Sequence, residues 1–136
     1  MESKYSYLIV TNNPLAKELI PADYAMDFEP CTYREVLVKV RDLVYAGHRL
    51  YTHPLSGSVK PNETPYKSIV VSKKVKNMEL SEAEIISNSL VTFDKFPLKY
   101  RDLPEQVLKD FQLIDYTLLC SALGLDAEAG LSNRNF

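Results

Sequence analysis

The chain has 136 residues, 46% of them apolar and 25% charged, with 16 Lys+Arg against 18 Asp+Glu for a formal charge of −2. That balance excludes a disordered or collagen-like chain. It equally excludes a basic nucleic-acid binder, because no basic stretch is interleaved with aromatics. The length suits one compact domain over residues 1–136, and no run approaches the roughly 18 apolar residues of a membrane span.

The first predicted element is a strand over residues 5–11, short, nearly continuously apolar and rich in β-branched and aromatic side chains, as suits a strand covered on both faces. Asn13-Pro14 then pairs an N-cap residue with a proline at the first helical position, predicting a short helix through Ile20 that ends before Pro21. A brief strand is expected over 25–29. Thr32-Tyr33-Arg34-Glu35 has the form of a capping box, and Tyr33, Val36, Leu37, Val40, Leu43 and Val44 recur at helical spacing until Gly47 supplies a stop.

Strands are predicted over 49–53 and 67–72, joined by a proline-rich segment over 54–65. Ser81-Glu82-Ala83-Glu84 repeats the capping box, opening a helix with Ile85, Ile86, Leu90, Phe93 and Phe96 on one stripe and Pro97 as its end. Pro104 restarts a helix whose Val107, Leu108, Phe111, Ile114, Leu118, Leu119 and Ala122 share a face, with Gly124 as stop. Residues 125–136 are small and polar and are expected to fray.

Strands alternating with helices argue for an α/β fold: a single three-layer domain with a small, mainly parallel sheet of Rossmann-like topology. The link over 53–67 has no helical pattern, so the alternative is a last strand paired antiparallel as a long hairpin. Cys31 and Cys120 lie far apart, each in an apolar helical pattern. The N-terminus lacks the basic region of a secretory signal, and together these features predict reduced thiols in a cytoplasmic chain. A small sheet exposes edges, which makes a homodimer an expectation.

Ligands of open α/β sheets gather outside the carboxyl ends of the strands. Two polar segments are expected there, Thr11-Asn12-Asn13 and the long 53–67 loop, whose Pro54, Pro61 and Pro65 fix backbone angles. Ser56-Gly57-Ser58 offers successive amides and two hydroxyls, the chemistry of an anion-cupping nest. Lys60 and Lys67 would add charge and His53 a hydrogen bond, with Asn12 closing from the neighbouring strand. The plainer reading is a rigid surface loop with Ser-Gly turn chemistry and solvated lysines.

Dinucleotide and P-loop fingerprints are absent from a chain with only four glycines, so no cofactor is expected. His48, His53, Cys31 and Cys120 show no chelating spacing, and His53 with Ser56 or Ser58 lacks the elbow and third partner of a nucleophilic triad. His48 reads as a cation beside the last carbonyls of the preceding helix, Lys73, Lys74 and Lys76 as a solvated strand exit, and the nine tyrosines as rims of the core.

Across Leu8-Ile9-Val10-Thr11-Asn12-Asn13-Pro14-Leu15, the helix ending at Gly47 and the run His53-Pro54-Leu55-Ser56-Gly57-Ser58, the chain resembles the GrdX family, with a fainter likeness over Leu108-Lys109-Asp110-Phe111-Gln112-Leu113-Ile114-Asp115. These are small proteins named for their place beside glycine reductase genes. The resemblance implies a setting in anaerobic amino-acid fermentation, near the selenoprotein machinery that reduces glycine, sarcosine or betaine and yields acetyl phosphate. It brings no catalytic residue set, and the selenocysteine and thiols of the reductase have no counterpart here. The expectation is an accessory or regulatory protein that binds a small anionic, phosphate-like metabolite at the 53–67 loop and contacts reductase components. The alternatives are a small enzyme using His53 as general acid or base, and a pure interaction module presenting the loop and exposed tyrosines.

Overall fold

The computed structural model describes residues 4–57, 60–97 and 102–132. A 3-10 turn at Lys4–Ser6 leads into β1 (Tyr7–Thr11), followed by α1 (Pro14–Leu19) and β2 (Ala25–Phe28). Asn13 caps α1 as its sequence predicts, its side chain accepting from the Leu15 N–H, with Pro14 in the first turn where no amide partner is needed. Next comes α2 (Tyr33–Ala46). Both halves of its capping box form, Thr32 to the Glu35 amide and Glu35 back to the Thr32 amide, and Gly47 closes it at φ +113°.

Two strands follow, β3 (His48–Leu50) and β4 (Ser68–Val75), and then α3 (Leu80–Asp94), α4 (Glu105–Leu123) and α5 (Ala127–Ser132). Several boundaries differ from expectation: β3 is confined to His48–Leu50 where a strand over 49–53 is expected, and β4 runs past Ser72 to Val75. The second capping box does not form: α3 already includes Ser81, and its N-cap Glu79 makes no side-chain cap bond. His48 is not a helix-end cation but the first residue of β3, its Nδ1 lying 2.6 Å from the Ser72 carbonyl oxygen. Beyond Gly124, Leu125, Ala127 and Leu131 pack on the core, so the segment read as fraying includes a docked helix.

The sheet order is β2-β1-β4-β3, with β1 and β2 parallel and β4 antiparallel to both β1 and β3. The sheet is therefore mixed, not mainly parallel, and the Rossmann-like expectation is corrected. The cause is the 51–67 connection. Its described residues contain no crossover helix, and the chain leaving β3 returns beside it in the opposite sense. β4 is thus wedged between two strands that point the same way.

Alternation along the strands divides the interior in two. Val10, Ile69 and Val71 face α2 and α3, whereas Ile9 and Val70 face α1, α4 and α5. Helices cover both faces, which is why these strands are apolar almost throughout. Cys120 is buried on α4, while Cys31 sits half-buried ahead of α2, and both are free thiols.

Candidate functional site: a buried lysine and carboxylate beneath the long loop

Thr11 lies opposite Ser68 in the β1–β4 register, so the carboxyl end of one strand and the amino end of the other coincide. The residues flanking that pair are thereby brought together. Asn12 is buried, its Nδ2 donating to the Cys31 and Pro65 carbonyls at 2.8 Å each, while its Oδ1 accepts the Lys67 N–H at 2.9 Å. A single side chain thus ties β1 to the entry of α2 and to the last residues of the loop.

Asn13, besides capping α1, donates through Nδ2 to the Gln112 carbonyl and to Asp115 Oδ2, both at 2.9 Å. Asp115 also accepts the Ser68 N–H at 2.9 Å and the Ser68 hydroxyl at 2.6 Å. Because the only Ser68 hydroxyl proton is committed to Asp115, the 2.7 Å contact between Thr11 Oγ1 and Ser68 Oγ is donated by Thr11. Three donors thus hold a carboxylate that is 8% exposed. Burial pushes its pKa up, opposed by the Ser68 and Asn13 hydrogen bonds and by the nearby charge of Lys67.

Lys67 is 7% exposed, and its Nζ donates to the Ser56 carbonyl at 2.6 Å. Burial pushes its pKa down, with the charge of Asp115 acting in the other direction. Two small cavities, of about 20 and 40 Å³, share Ser56, Lys67, Asp115 and Leu118 on their walls. The smaller is also lined by Gly57, whose φ of +138° is a conformation that glycine adopts without strain. Each has room for water rather than for a metabolite.

Of the residues singled out in the sequence, Ser56, Gly57 and Lys67 meet here, and Asn12 is tied to them through the Lys67 amide without lining either cavity. His53 and Lys60 are exposed and lie on neither cavity wall, and Ser58 falls outside the described residues. The His53 carbonyl accepts both the N–H and the hydroxyl of Ser56, at 3.2 and 2.9 Å, and its Nδ1 accepts the Leu55 N–H at 3.1 Å. The Glu63 N–H goes to the Lys60 carbonyl and the Tyr66 N–H to the Thr64 hydroxyl. Four of the loop's amides, those of Leu55, Ser56, Glu63 and Tyr66, are engaged in its own turns, and what the loop presents to the interior is a carbonyl that holds an ammonium.

Asp115 is the residue that sequence reasoning passed over. Its signal was present: it lies four residues after Phe111 and four before Leu119, a carboxylate on the apolar stripe of α4. Among the described residues no group of three or more His, Cys, Asp or Glu side chains is placed to hold a metal ion, and no helix is long and apolar enough to cross a membrane.

No curated protein and no solved structure matches the chain significantly. A family model described as GrdX-like protein matches residues 8–124, from β1 to the glycine that closes α4, and so spans every element that builds the Lys67–Asp115 site. The chain belongs to the GrdX-like protein family.

Proposed function

We propose that this protein is an accessory or regulatory protein of glycine, sarcosine or betaine reductase metabolism that binds a small anion beside Lys67, under the 53–67 loop, without turning it over. The observation that supports this reading is the buried ammonium. A cation removed from water is costly unless a compensating partner is close, and strongly desolvated titratable groups cluster at functional sites. Asp115 compensates it only in part, because that carboxylate is engaged by Asn13 and Ser68. The direct partner of Lys67 Nζ is a neutral carbonyl from the loop. Exchanging that carbonyl for an anion gives a charge-assisted contact, roughly twice as strong as a neutral one.

The size of the cavities sets the ligand class. Filled with Ser56 in place, they admit water; a phosphate or carboxylate enters when the Ser56-Gly57 tip lifts, and a bulky ligand would have to displace the whole loop. Acetyl phosphate and inorganic phosphate are the probes that fit both this chemistry and the metabolic setting. His53 is exposed and lies on neither cavity wall, which favours the anion-binding reading over the enzyme alternative.

Thermal denaturation with phosphate, acetyl phosphate, glycine and betaine tests the reading. An anion bound at a hundred times its Kd adds about 2.7 kcal/mol to stability by mass action. Lys67→Met should abolish that shift, and so should Gly57→Val, because a β-branched residue resists φ of +138° and fills the entry. A shift that survives Lys67→Met, or no shift with any anion at millimolar concentration, would overturn the proposal.

A further inference from the structure

A large concavity outside the Lys67 site lies at the opposite end of β4. It is a cleft of about 620 Å³ between the 3-10 turn at Lys4–Ser6, the exit of β3 and the end of β4. Its volume is in the range of ligand pockets, which run to roughly 300–1,000 Å³. The strand pairing explains why it is open. β1 matches β4 only as far as Tyr7 opposite Ser72, so the last residues of β4 run on past the sheet's neighbouring strand. Ser72 and Lys74 share the side of β4 that carries Val70, but lie beyond the helices that cover it.

We propose that this cleft binds a phosphorylated ligand bearing a planar ring, of the nucleoside monophosphate class. Arg49, Lys74 and Lys76 line it, and among the described residues on its walls there is no carboxylate. Arg49 is held by Glu82 from α3 in a forked ion pair, at 2.9–3.1 Å, which leaves the two lysines as the excess positive charge. Two monovalent cations match one phosphate dianion. Tyr51, 40% exposed, supplies the platform, with Tyr5, 65% exposed and carrying Lys4 Nζ 5.5 Å from its ring centroid, on the adjoining wall. Tyr51 is braced rather than loose: its ring meets Tyr7 edge-on at 5.6 Å between centroids, and Tyr7 in turn stacks on Tyr24 at 6.5 Å. A braced aromatic loses little entropy when a base stacks on it.

The charged wall is equally fixed in its backbone. The Lys76 N–H donates to the Gly47 carbonyl at 3.0 Å, the Ser72 hydroxyl to the Lys74 carbonyl at 2.7 Å, and the Arg49 N–H to the Ser72 hydroxyl at 2.7 Å. The lysines that look like a solvated strand exit in the sequence are therefore held side by side on one rim. With a net charge of −2 the chain has no global positive field, and two lysines on the cleft, unpaired among the described residues, match one phosphate rather than a polyanion.

Titration calorimetry of the full chain with adenosine 5′-monophosphate, adenosine, ribose 5-phosphate and inorganic phosphate is the test. The monophosphate should bind, with adenosine and ribose 5-phosphate each weaker by about tenfold or more, since adenosine lacks the phosphate contact and ribose 5-phosphate the stacked ring. Tyr51→Ala and the double change Lys74→Ala with Lys76→Ala should each weaken binding by a similar factor, whereas Tyr51→Phe, which keeps the ring and its bracing, should retain it. Lys67→Met should leave it unchanged, which separates this site from the proposed anion site. No heat with the monophosphate at millimolar concentration, wild-type affinity retained in Tyr51→Ala or in the double lysine variant, or loss on Lys67→Met would overturn the proposal. So would binding of a single-stranded adenine oligomer without binding of the monophosphate.

Discussion

Asn12 separates a structural role from a ligand role. Replacing it with alanine removes three hydrogen bonds, to the Cys31 and Pro65 carbonyls and from the Lys67 N–H, all between 2.8 and 2.9 Å. At about 1 kcal/mol net per bond, and with the Lys67 amide left buried and unpaired, the loss should be about 2–4 kcal/mol. With a urea slope of about 1–3 kcal/mol/M, the unfolding midpoint should fall by roughly 1–2 M with the slope unchanged. Asn12→Asp makes the argument sharper. It retains the acceptor for Lys67 but turns a carboxylate toward two carbonyls, so its midpoint should fall at least as far. Midpoints unchanged in both variants, with only the anion-induced stabilisation lost, would refute the pin and make Asn12 a ligand contact.

Other outcomes follow from the same network and from the turns that frame it. Asp115 has a pKa above its unfolded value, so between the two the folded chain retains a proton the unfolded chain has released, and stability falls as pH rises through that window. Asp115→Asn should flatten this dependence above about pH 4, measured as urea midpoints across the acid-to-neutral range. A wild-type chain that gains stability relative to the variant as pH rises would contradict it. Gly47→Ala places a Cβ 1.8 Å from the Lys76 carbonyl oxygen at a φ of +113°, and should lower stability by about 2 kcal/mol or more, visible as a drop in Tm. Thr32→Ala breaks the capping box and should cost about 1 kcal/mol. Glu35→Gln, which keeps an acceptor for the Thr32 amide, should cost less.

The local grammar of the chain is largely readable. Thr32, Glu35 and Gly47 delimit α2 because each satisfies amides or a left-handed backbone that few other residues can, and Asn13-Pro14 does the same for α1. Ser81 misleads because α3 opens a residue earlier, at Leu80, which leaves Ser81 inside the helix and no longer at its N-cap, and Glu82 is taken up by Arg49 and the Leu50 N–H from another part of the chain. Strand order is non-local. Nothing in residues 67–72 states that they pair with β1 from the opposite direction, and only the missing crossover helix hints at it. For the site, polar residues at strand ends are conspicuous, so Asn12 and Lys67 stand out. Their partner Asp115 hides in a helical stripe 47 positions beyond Ser68, where periodicity counts it as an exception instead of a contact.

The wedged position of β4 also dictates when this sheet can exist during synthesis. β1 and β3 share no ladder, and both wait for a segment that begins 18 residues after β3 ends and 57 after Thr11. A nascent chain shorter than about 75 residues holds at most the β1–β2 pair and two helices, with strand edges open to strangers. Even the complete sheet leaves Ser68 and Asn13 without a carboxylate until α4 has left the ribosome, so the polar seam closes among the last events of folding.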